Sequence, residues 1–346
     1  MAKPIDEMAV VITGASSGIG KATALAFAEA GAKLVIAARR QPQLEQTAVE
    51  CRAAGAQVAA LVTDVTEETE VKALAGRALT DFGRIDVWIN NAGIDAFGSF
   101  EQLPKHAFER IIQVNLLGTV NGTRAVLPHF RERGSGTVIN NASMVGAVPS
   151  PFHTAYVASK FAIRGFSHSL RQELTEFPGI QVCVISPASI DTPLWQRAAN
   201  YSGRKVKPFD PVHPPEQVAA VMLDLARNPQ REAFAGASGW MLAEQHAANP
   251  DLTETMVAGY ARASLFQDEP AAPTDGVLFK PEDGNSGASG GWMSLNTPGI
   301  PTGDLLPLLM APGLLAAAPA LYAWKLSSNF VQQISRQFTI PPKQGR

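Results

Sequence analysis

The sequence has little cysteine and little net charge, and each deficit excludes a class of protein. Two cysteines among 346 residues cannot form a disulfide scaffold or a cysteine-rich metal site, and they fit a reducing compartment. The 29 Lys and Arg residues nearly balance the 31 Asp and Glu residues, so no basic surface for nucleic acid is expected. His106, His153 and His168 lack metal-ligand spacing with a Cys or carboxylate neighbour. We therefore predict no metal site, and we keep His153 as a candidate for the mouth of a substrate site.

A secretory signal is also absent from the first residues, which run directly into an apolar strand, so we expect a cytoplasmic protein. With 46% hydrophobic and 17% charged residues, the chain can bury a large core. Residues 305–324 carry no charge and are just long enough to span a bilayer, but Pro307, Pro312 and Pro319 interrupt them. For this stretch we favour a buried helical hairpin or an oligomer contact, with a membrane-associated tail as the alternative.

Short apolar strands alternate with helical stretches over the first half of the chain. The predicted strands are residues 8–13, 33–38, 57–65, 85–93, 137–143 and 180–187. Uninterrupted apolar strands indicate a parallel sheet covered on both faces, and right-handed crossovers make it a Rossmann-like, doubly wound α/β fold. We assign residues 1–245 to a dinucleotide-binding and catalytic domain and 246–346 to a C-terminal extension. The extension has a Pro/Gly-rich, irregular segment at 266–303 before the apolar segment at 305–324.

The turn after the first strand is rich in glycine and reads TGASSGIG over residues 13–20. Gly14 permits a sharp exit from the strand, Gly18 lets the backbone approach a pyrophosphate, and Gly20 allows close packing of the next helix. The amides at the start of that helix attract phosphate. The spacing differs from the commoner G-x-G-x-x-G, and the alternative is a glycine-rich turn that binds nothing.

The end of the second strand predicts which dinucleotide binds. NAD-binding folds usually place an acidic residue there to hold the ribose 2′-hydroxyl, but this chain has Arg39 and Arg40. Because a basic pair can receive a 2′-phosphate, NADP(H) is preferred over NAD(H). Two solvated arginines are the alternative. Asp64 and Val65 close the third strand, where an adenine edge could bind.

A second group of residues carries candidate proton chemistry. Tyr156 and Lys160 are four residues apart, so they share one face of a helix. A nearby ammonium is expected to lower the pKa of the phenol, which ordinarily titrates near pH ~10, so that it can pass a proton in either direction. Ser143 ends a neighbouring strand and would hold the substrate oxygen. An isolated Tyr-x-x-x-Lys pair, however, is usually an ordinary surface pair.

Taken together, these motifs resemble those of the short-chain dehydrogenase/reductase family. TGASSGIG, NNAG at 90–93, Asn115 within VNLLG, Ser143, YVASK at 156–160 and residues 187–192 occur in the family's order. The resemblance implies a catalytic tetrad of Asn115, Ser143, Tyr156 and Lys160. Tyr156 would be the general acid in reduction and the general base in oxidation, and Ser143 would polarise the carbonyl. Lys160 would bind the nicotinamide ribose and tune Tyr156, while Asn115 would hold a water in a proton relay.

The resemblance and the residue patterns together predict a dinucleotide-binding set. Its members are Gly14, Ser16, Ser17, Gly18, Ile19, Gly20, Arg39, Arg40, Asp64, Val65, Asn91, Ala92, Gly93, Tyr156, Lys160, Pro187, Ile190 and Thr192. The usual Pro-Gly after the sixth strand is Pro187-Ala188 here, which predicts a stiffer loop over the cofactor.

The expected reaction is hydride transfer between NADP(H) and a carbonyl/alcohol pair. The candidate substrate-lining residues are Ile94, Asp95, Met144, Val145, Phe152, His153 and the segment around Trp195. They are mostly apolar, which favours a hydrophobic or aromatic carbonyl compound. The alternative function is a dinucleotide-binding sensor or scaffold without turnover, because a fold alone does not dictate function. The resemblance also suggests a homodimer or homotetramer built on helices near 115–131 and 156–177, and no nucleic-acid partner.

Overall fold

The computed structural model describes residues 4–282 and 284–293. Within these ranges the strands are β1 (Ala9–Thr13), β2 (Lys33–Ala38), β3 (Val58–Val62), β4 (Val87–Asn90), β5 (Ala96–Phe97), β6 (Gly136–Asn141), β7 (Ile180–Pro187), β8 (Ala199–Asn200), β9 (Arg204–Val206), β10 (Glu232–Ala235) and β11 (Phe266–Pro270). The α-helices are α1 (Gly18–Glu29), α2 (Gln41–Ala53), α3 (Glu68–Phe82), α4 (Lys105–Ile111), α5 (Gly118–Arg133), α6 (Thr154–Glu173), α7 (Leu194–Arg197), α8 (Pro215–Arg227), α9 (Ala237–Ala248) and α10 (Pro250–Ser264).

The centre of the described chain is a seven-stranded sheet in the order β10-β7-β6-β4-β1-β2-β3. All of its strand pairs are parallel. The strand order reverses between β1 and β4, and a crevice opens at the carboxyl edge of such a reversal. The Rossmann-like, doubly wound fold predicted from the sequence is therefore confirmed.

Helices cover both faces of this sheet. Helices α1, α2 and α8 pack together on one face, and α3 and α5 pack together on the other. Side chains along β1 alternate between the two layers: Val10 and Ile12 belong to the first core and Val11 to the second. Because both faces are buried, every position of β1 is apolar or satisfied by a hydrogen bond.

Two local features differ from the sequence-based expectation. A helix was expected near residues 115–131, but the structure has α4, then a π-helical segment at Ile112–Leu117, and then α5. The edge strand β10 was not predicted, since its residues EAFA are short and preceded by a polar loop. Short π segments inside helices are often found at functional sites, and this one carries Asn115.

The region after residue 245 continues the ordered fold. Helix α10 is followed by β11, which lies within the stretch expected to be irregular and pairs with β9. From residue 271 onward the described chain has no long helix or strand. In the described ranges, no helix has the length and apolarity needed to cross a membrane. The apolar segment at 305–324 lies outside the described residues.

Candidate active site

The crevice lies at the carboxyl ends of β1 and β4, where hydrogen bonds join the two strands. The Thr13 Oγ1 accepts hydrogen bonds from the Asn91 and Ala92 amides at 3.0 and 3.2 Å. The Asn91 Nδ2 donates to the Thr13 carbonyl at 2.9 Å, and Asn141 at the end of β6 donates to Asn91 Oδ1 at 2.9 Å. Side chains at three neighbouring strand ends therefore hold the edge of the crevice rigid.

The glycine-rich turn lies against this edge so closely that side chains do not fit. A Cβ on Gly20 would lie 2.2 Å from the Gly14 carbonyl oxygen, and a Cβ on Gly14 would lie 2.7 Å from the Ala92 Cα. Gly14 also has φ +71°, which L side chains rarely adopt. The bare backbone leaves a cradle beside the start of α1, and such a cradle fits a dinucleotide pyrophosphate.

Arg39 and Arg40 both line the crevice, but other groups already bond them. Arg40 is buried, and its Nη2 donates to the Ser16 carbonyl at 3.3 Å. Arg39 donates to the Val277 carbonyl oxygen at 2.7 Å and lies 4.0 Å from an Asp64 carboxylate oxygen. The two arginines are therefore organised parts of the crevice wall, and each donates to at least one backbone carbonyl.

Asp64 has carboxylate bonds that the sequence did not reveal. Its Oδ2 accepts from the Arg110 guanidinium at 2.9 Å, and its Oδ1 accepts from Thr66. Burial raises the pKa of Asp64, but the bonds to Thr66 and Arg110 outweigh burial and lower the pKa overall. Contact with an adenine edge stays a prediction for this residue.

Tyr156, Lys160 and Ser143 lie close together near the carboxyl ends of β4 and β6. The Lys160 Nζ donates to the Asn141 carbonyl at 2.7 Å and lies 5.3 Å from the centre of the Tyr156 ring. Ser143 is the N-terminal cap of a short 3₁₀ turn, where its Oγ accepts from the Val145 amide at 3.3 Å. Lys160 is buried, with 3% of its surface exposed. The three side chains are thus held in fixed positions.

The expected acidic shift of the Tyr156 phenol is wrong for this structure. Burial raises the pKa of Tyr156, the Asp95 carboxylate raises it further, and a hydrogen bond with Ser143 lowers it by less. Burial also lowers the pKa of Lys160 to about 8, while Asp95 opposes that change. The ammonium alone would lower the pKa of the phenol, but desolvation disfavours both the phenolate and the ammonium.

Asn115 positions its neighbours through its side chain. Its Oδ1 accepts from the Ile94 amide at 2.9 Å, and its Nδ2 donates to the Ile94 carbonyl and to the Ser159 Oγ, each at 3.0 Å. Ser159 in turn donates to the Tyr156 carbonyl at 2.7 Å. Asn115 therefore fastens the loop after β4 to the helix that carries Tyr156. The water-holding role implied by the resemblance stays a prediction.

A buried Asp95–His153 pair lies beside Tyr156. The His153 Nδ1 is 3.2 Å from Asp95 Oδ2, and both residues are 3% exposed. The His153 ring is stacked between Phe97, at 5.4 Å, and Tyr156, at 5.7 Å between ring centres. Both residues were candidates for the substrate side, but only the fold reveals that they are partners. Burial raises the pKa of Asp95, and His153 opposes this change.

The predicted site residues divide between two adjoining cavities. The larger crevice is lined by Gly14, Ser16, Ser17, Gly18, Ile19, Gly20, Arg39, Arg40, Asp64, Val65, Asn91, Ala92, Gly93, Tyr156, Lys160 and Thr192. The smaller cavity is lined by Asp95, Ser143, Met144, Val145, His153, Tyr156, Pro187, Ile190, Thr192 and Trp195. Tyr156 and Thr192 lie where the two cavities meet. Asn115 lies behind them, and Phe152 packs edge-on against Phe266.

Sequence reasoning missed several residues of the larger crevice. Among these are Thr63, Asn141, Leu194, Arg197 and Val277. Thr63 directly precedes Asp64, and Leu194 follows Thr192 closely, so the neighbourhood of predicted residues was a usable signal. Arg197 and Val277 carry no local motif, and only the tertiary structure brings them to the crevice.

The described end of the chain forms a strap across this site, which we define as residues 275–282 and 284–293. Its Gly287 carbonyl accepts from the Gly18 amide at 3.0 Å. Further along, the Asp191 carboxylate accepts from the Ser289 Oγ at 2.6 Å and from the Gly290 and Trp292 amides at 3.0 and 2.9 Å. The strap thus contacts both the glycine turn and the loop after β7.

Comparison with known proteins finds a matching family and several similar proteins. A family profile described as short chain dehydrogenase matches residues 8–202. The uncharacterized oxidoreductase YxnA of Bacillus subtilis is 34% identical over 297 residues, which cover 84% of this chain and 83% of that protein. A match of that extent includes part of the region after residue 245. Human dehydrogenase/reductase SDR family member 7 is 36% identical over 192 residues, 54% of this chain and 57% of the human protein.

Two solved structures are also similar to this chain. A short chain dehydrogenase/reductase from Burkholderia phymatum, solved in complex with NAD, has a TM-score of 0.66 and 25% identity, covering 73% of this chain and 97% of that one. An alcohol dehydrogenase from the archaeon Thermococcus sibiricus, complexed with 5-hydroxy-NADP, has a TM-score of 0.56 and 31% identity, covering 66% and 95%. The structural neighbours therefore include one solved with NAD and one solved with an NADP derivative.

Proposed function

Because the chain belongs to the short-chain dehydrogenase/reductase family of oxidoreductases, we propose that it transfers a hydride between NADP(H) and a carbonyl/alcohol substrate, with Tyr156 as the acid/base. The observation that carries the proposal is the position of the Tyr156 side chain. It lines both the crevice bordered by the glycine turn and the smaller, mostly apolar cavity beside it. A proton donor at that junction can serve a substrate in one cavity and a dinucleotide in the other.

A dinucleotide would occupy the cradle described above, where the Gly287 carbonyl bonds the Gly18 amide in this structure, and it supplies the hydride chemistry when it is bound. Gly14, Gly18 and Gly20 would leave room for its phosphates, and Arg39 and Arg40 would receive a 2′-phosphate. Both arginines line the crevice at the end of β2, where the 2′-phosphate is expected, and this position supports NADP(H) over NAD(H). Lys160 would hold the nicotinamide ribose.

The raised pKa of Tyr156 gives the proposed acid/base a preferred direction. A partly buried phenol beside the Asp95 carboxylate keeps its proton at neutral pH, so Tyr156 is ready to donate that proton from Oη to a carbonyl oxygen. Ser143 would share the same oxygen, and its bond to Tyr156 partly offsets the cost of forming the phenolate. We therefore propose reduction of a carbonyl as the favoured direction.

The substrate proposal rests on the lining of the smaller cavity. Met144, Val145, Trp195 and Phe209 give it apolar walls, and polar side chains are concentrated near Tyr156. Such a lining favours a hydrophobic or aromatic aldehyde or ketone over a sugar phosphate. We further propose a homodimer or homotetramer, as the family resemblance suggests.

The test is a carbonyl screen that follows NADPH absorbance, using aldehydes, ketones and quinones. We expect at least one hydrophobic carbonyl compound to be reduced. Tyr156→Phe should lower turnover about 10²- to 10⁴-fold, the usual worth of a general acid, with little change in NADPH binding. Tyr260→Phe is the matched control because its hydroxyl donates to the Asp210 carbonyl, and neither residue lines the two cavities.

Three results would contradict parts of this proposal. Unchanged turnover in Tyr156→Phe would remove the acid/base assignment. Tight NADPH binding without reduction of any compound in the screen would instead favour the sensor or scaffold alternative. Equal loss of NADPH and NADH binding when both Arg39 and Arg40 are replaced by Ala would argue against the 2′-phosphate role.

A further inference from the structure

A third arginine enters the crevice from an element that the sequence motifs do not cover. Arg197 is the last residue of the short helix α7, and its half-buried side chain lines the larger crevice. Its Nη1 lies 3.4 Å from the Oγ of Ser17, which is the N-terminal cap residue of α1. The guanidinium therefore lies next to the start of the helix whose amides border the glycine cradle.

The charge of Arg197 is not balanced by a direct ion pair within the described residues. Its Nε is buried and has no hydrogen-bond partner there. Burial and the neighbouring Arg40 and Arg39 lower the pKa of Arg197 to about 10, and Glu282 opposes this only in part. Partly buried like charges repel each other, so an anion bound beside Arg197 would relieve its repulsion with Arg40 and Arg39.

The strap fixes Arg197 relative to Arg39. The Val277 amide donates to the Arg197 carbonyl at 3.1 Å, and the Val277 carbonyl accepts from Arg39 Nη2 at 2.7 Å. At Gly276, with φ +47°, a Cβ would lie only 2.4 Å from the Arg197 carbonyl oxygen. One residue of the strap thus bonds the backbone of one arginine and the side chain of another, and the glycine before it permits the close approach.

We propose that Arg197 binds the pyrophosphate of the dinucleotide, as a cation facing the start of α1, and that the strap holds it in position. This inference rests on the proposed function, since it requires the crevice to bind a dinucleotide. The start of a helix after a glycine turn is where a pyrophosphate binds in doubly wound folds, and Ser17 occupies the N-terminal cap position of that helix. Arg40 instead bonds the Ser16 carbonyl, on the side of β2 where the 2′-phosphate is expected.

The test measures binding by titration calorimetry with NADP⁺, NAD⁺ and adenosine 2′-phosphate, which has no pyrophosphate. We expect Arg197→Met to weaken NADP⁺ and NAD⁺ by a similar factor, roughly 10- to 100-fold for a lost charged hydrogen bond, and to leave adenosine 2′-phosphate unchanged. Arg39→Met should weaken NADP⁺ and adenosine 2′-phosphate and spare NAD⁺. Arg227→Met, which removes one exposed arginine at the end of α8, is the charge control.

A second pair of variants tests the strap and covers the case in which Arg197→Met does not fold. Gly276→Ala should weaken both dinucleotides because its Cβ would push the strap away from Arg197. Gly259→Ala, where a Cβ meets nothing within 4 Å, should leave binding unchanged. Thermal unfolding of each variant shows whether it is folded before binding is compared.

The outcomes separate this inference from the proposed function. A loss in Arg197→Met confined to NADP⁺ and adenosine 2′-phosphate would overturn the pyrophosphate assignment and make Arg197 a 2′-phosphate residue. Undiminished binding of all three compounds in folded Arg197→Met would overturn any role for it, while leaving the proposed function intact. An unsubstituted protein that binds neither dinucleotide would overturn the proposed function and this inference together.

Discussion

Replacing Lys160 by Met should change stability in a pH-dependent way, because the lysine is buried. The pKa of its ammonium is lowered from the ordinary 10.5 to about 8, which corresponds to about 3 kcal/mol of differential interaction. Below pH 8 the native and unfolded states both carry the charge, and the native state bears the full cost of burying it. Between pH 8 and 10.5 the unfolded state binds more protons than the native state, so stability rises with pH.

The quantity to compare is the free energy of unfolding of the unsubstituted protein and of Lys160→Met. Lys160→Met also leaves the Asn141 carbonyl without its 2.7 Å hydrogen bond, but that loss is the same at every pH. The free energy of unfolding of the unsubstituted protein, minus that of Lys160→Met, should therefore rise by about 3 kcal/mol from pH 7 to pH 10.5. Denaturant titrations of both proteins at half-unit pH steps measure this difference.

A difference that stays constant across this pH range would refute the reasoning. It would mean that water or a compensating charge reaches Lys160 and keeps its pKa near the ordinary value. The same lysine also predicts the rate profile. In the reductive direction kcat/KM should fall as pH rises through about 8, because Lys160 loses its charge there while Tyr156 is still protonated.

Three further perturbations test other parts of the site. Asp95→Asn should move the alkaline limb of the reductive rate to lower pH, because the carboxylate raises the pKa of both Lys160 and Tyr156; an unmoved limb would contradict this coupling. Gly20→Ala should destabilise the fold by about 1–3 kcal/mol or more and weaken dinucleotide binding, because the added Cβ would clash with the Gly14 carbonyl. Gly76→Ala is the control, since Gly76 lies at an exposed helix position with open space, and it should stabilise the fold by up to about 1 kcal/mol. Equal melting temperatures of the two variants would contradict the clash at Gly20. Asp191→Ala should speed proteolysis within residues 284–293, since three hydrogen bonds hold that part of the strap, and unchanged cleavage would show that they do not.

Most of the fold was predictable because its signals are local. The apolar strands and the glycines that end or begin helices lie within short windows, so strand and helix periods revealed the doubly wound sheet. The π segment at Ile112–Leu117 was not predictable in this way, since it keeps the apolar spacing of a helix. The strand β10 was missed for another reason: only its pairing with β7 makes four residues a strand.

The residues of the candidate site also fall into two groups, those recognisable from local sequence and those that only the fold brings together. Gly14, Gly20, Tyr156 and Lys160 were recognisable because their spacing within a motif already implies their contacts. The Asp95–His153 pair joins residues 58 positions apart, and no periodicity connects them. The predicted direction of the Tyr156 pKa shift was wrong because burial makes the largest contribution, and burial depends on which parts of the folded chain surround the side chain.

The sequence by itself determined the oxidoreductase family, the order of the strands along the chain and the residue types at the centre of the site. Those properties reside in motifs of fewer than ten residues, whose backbone geometry is set locally. The tertiary structure decided which charges are buried, which arginines share the crevice and how the strap reaches Gly18 and Asp191. Desolvation and electrostatic coupling act between atoms close in space, and only the folded chain brings residues 39, 197 and 277 together.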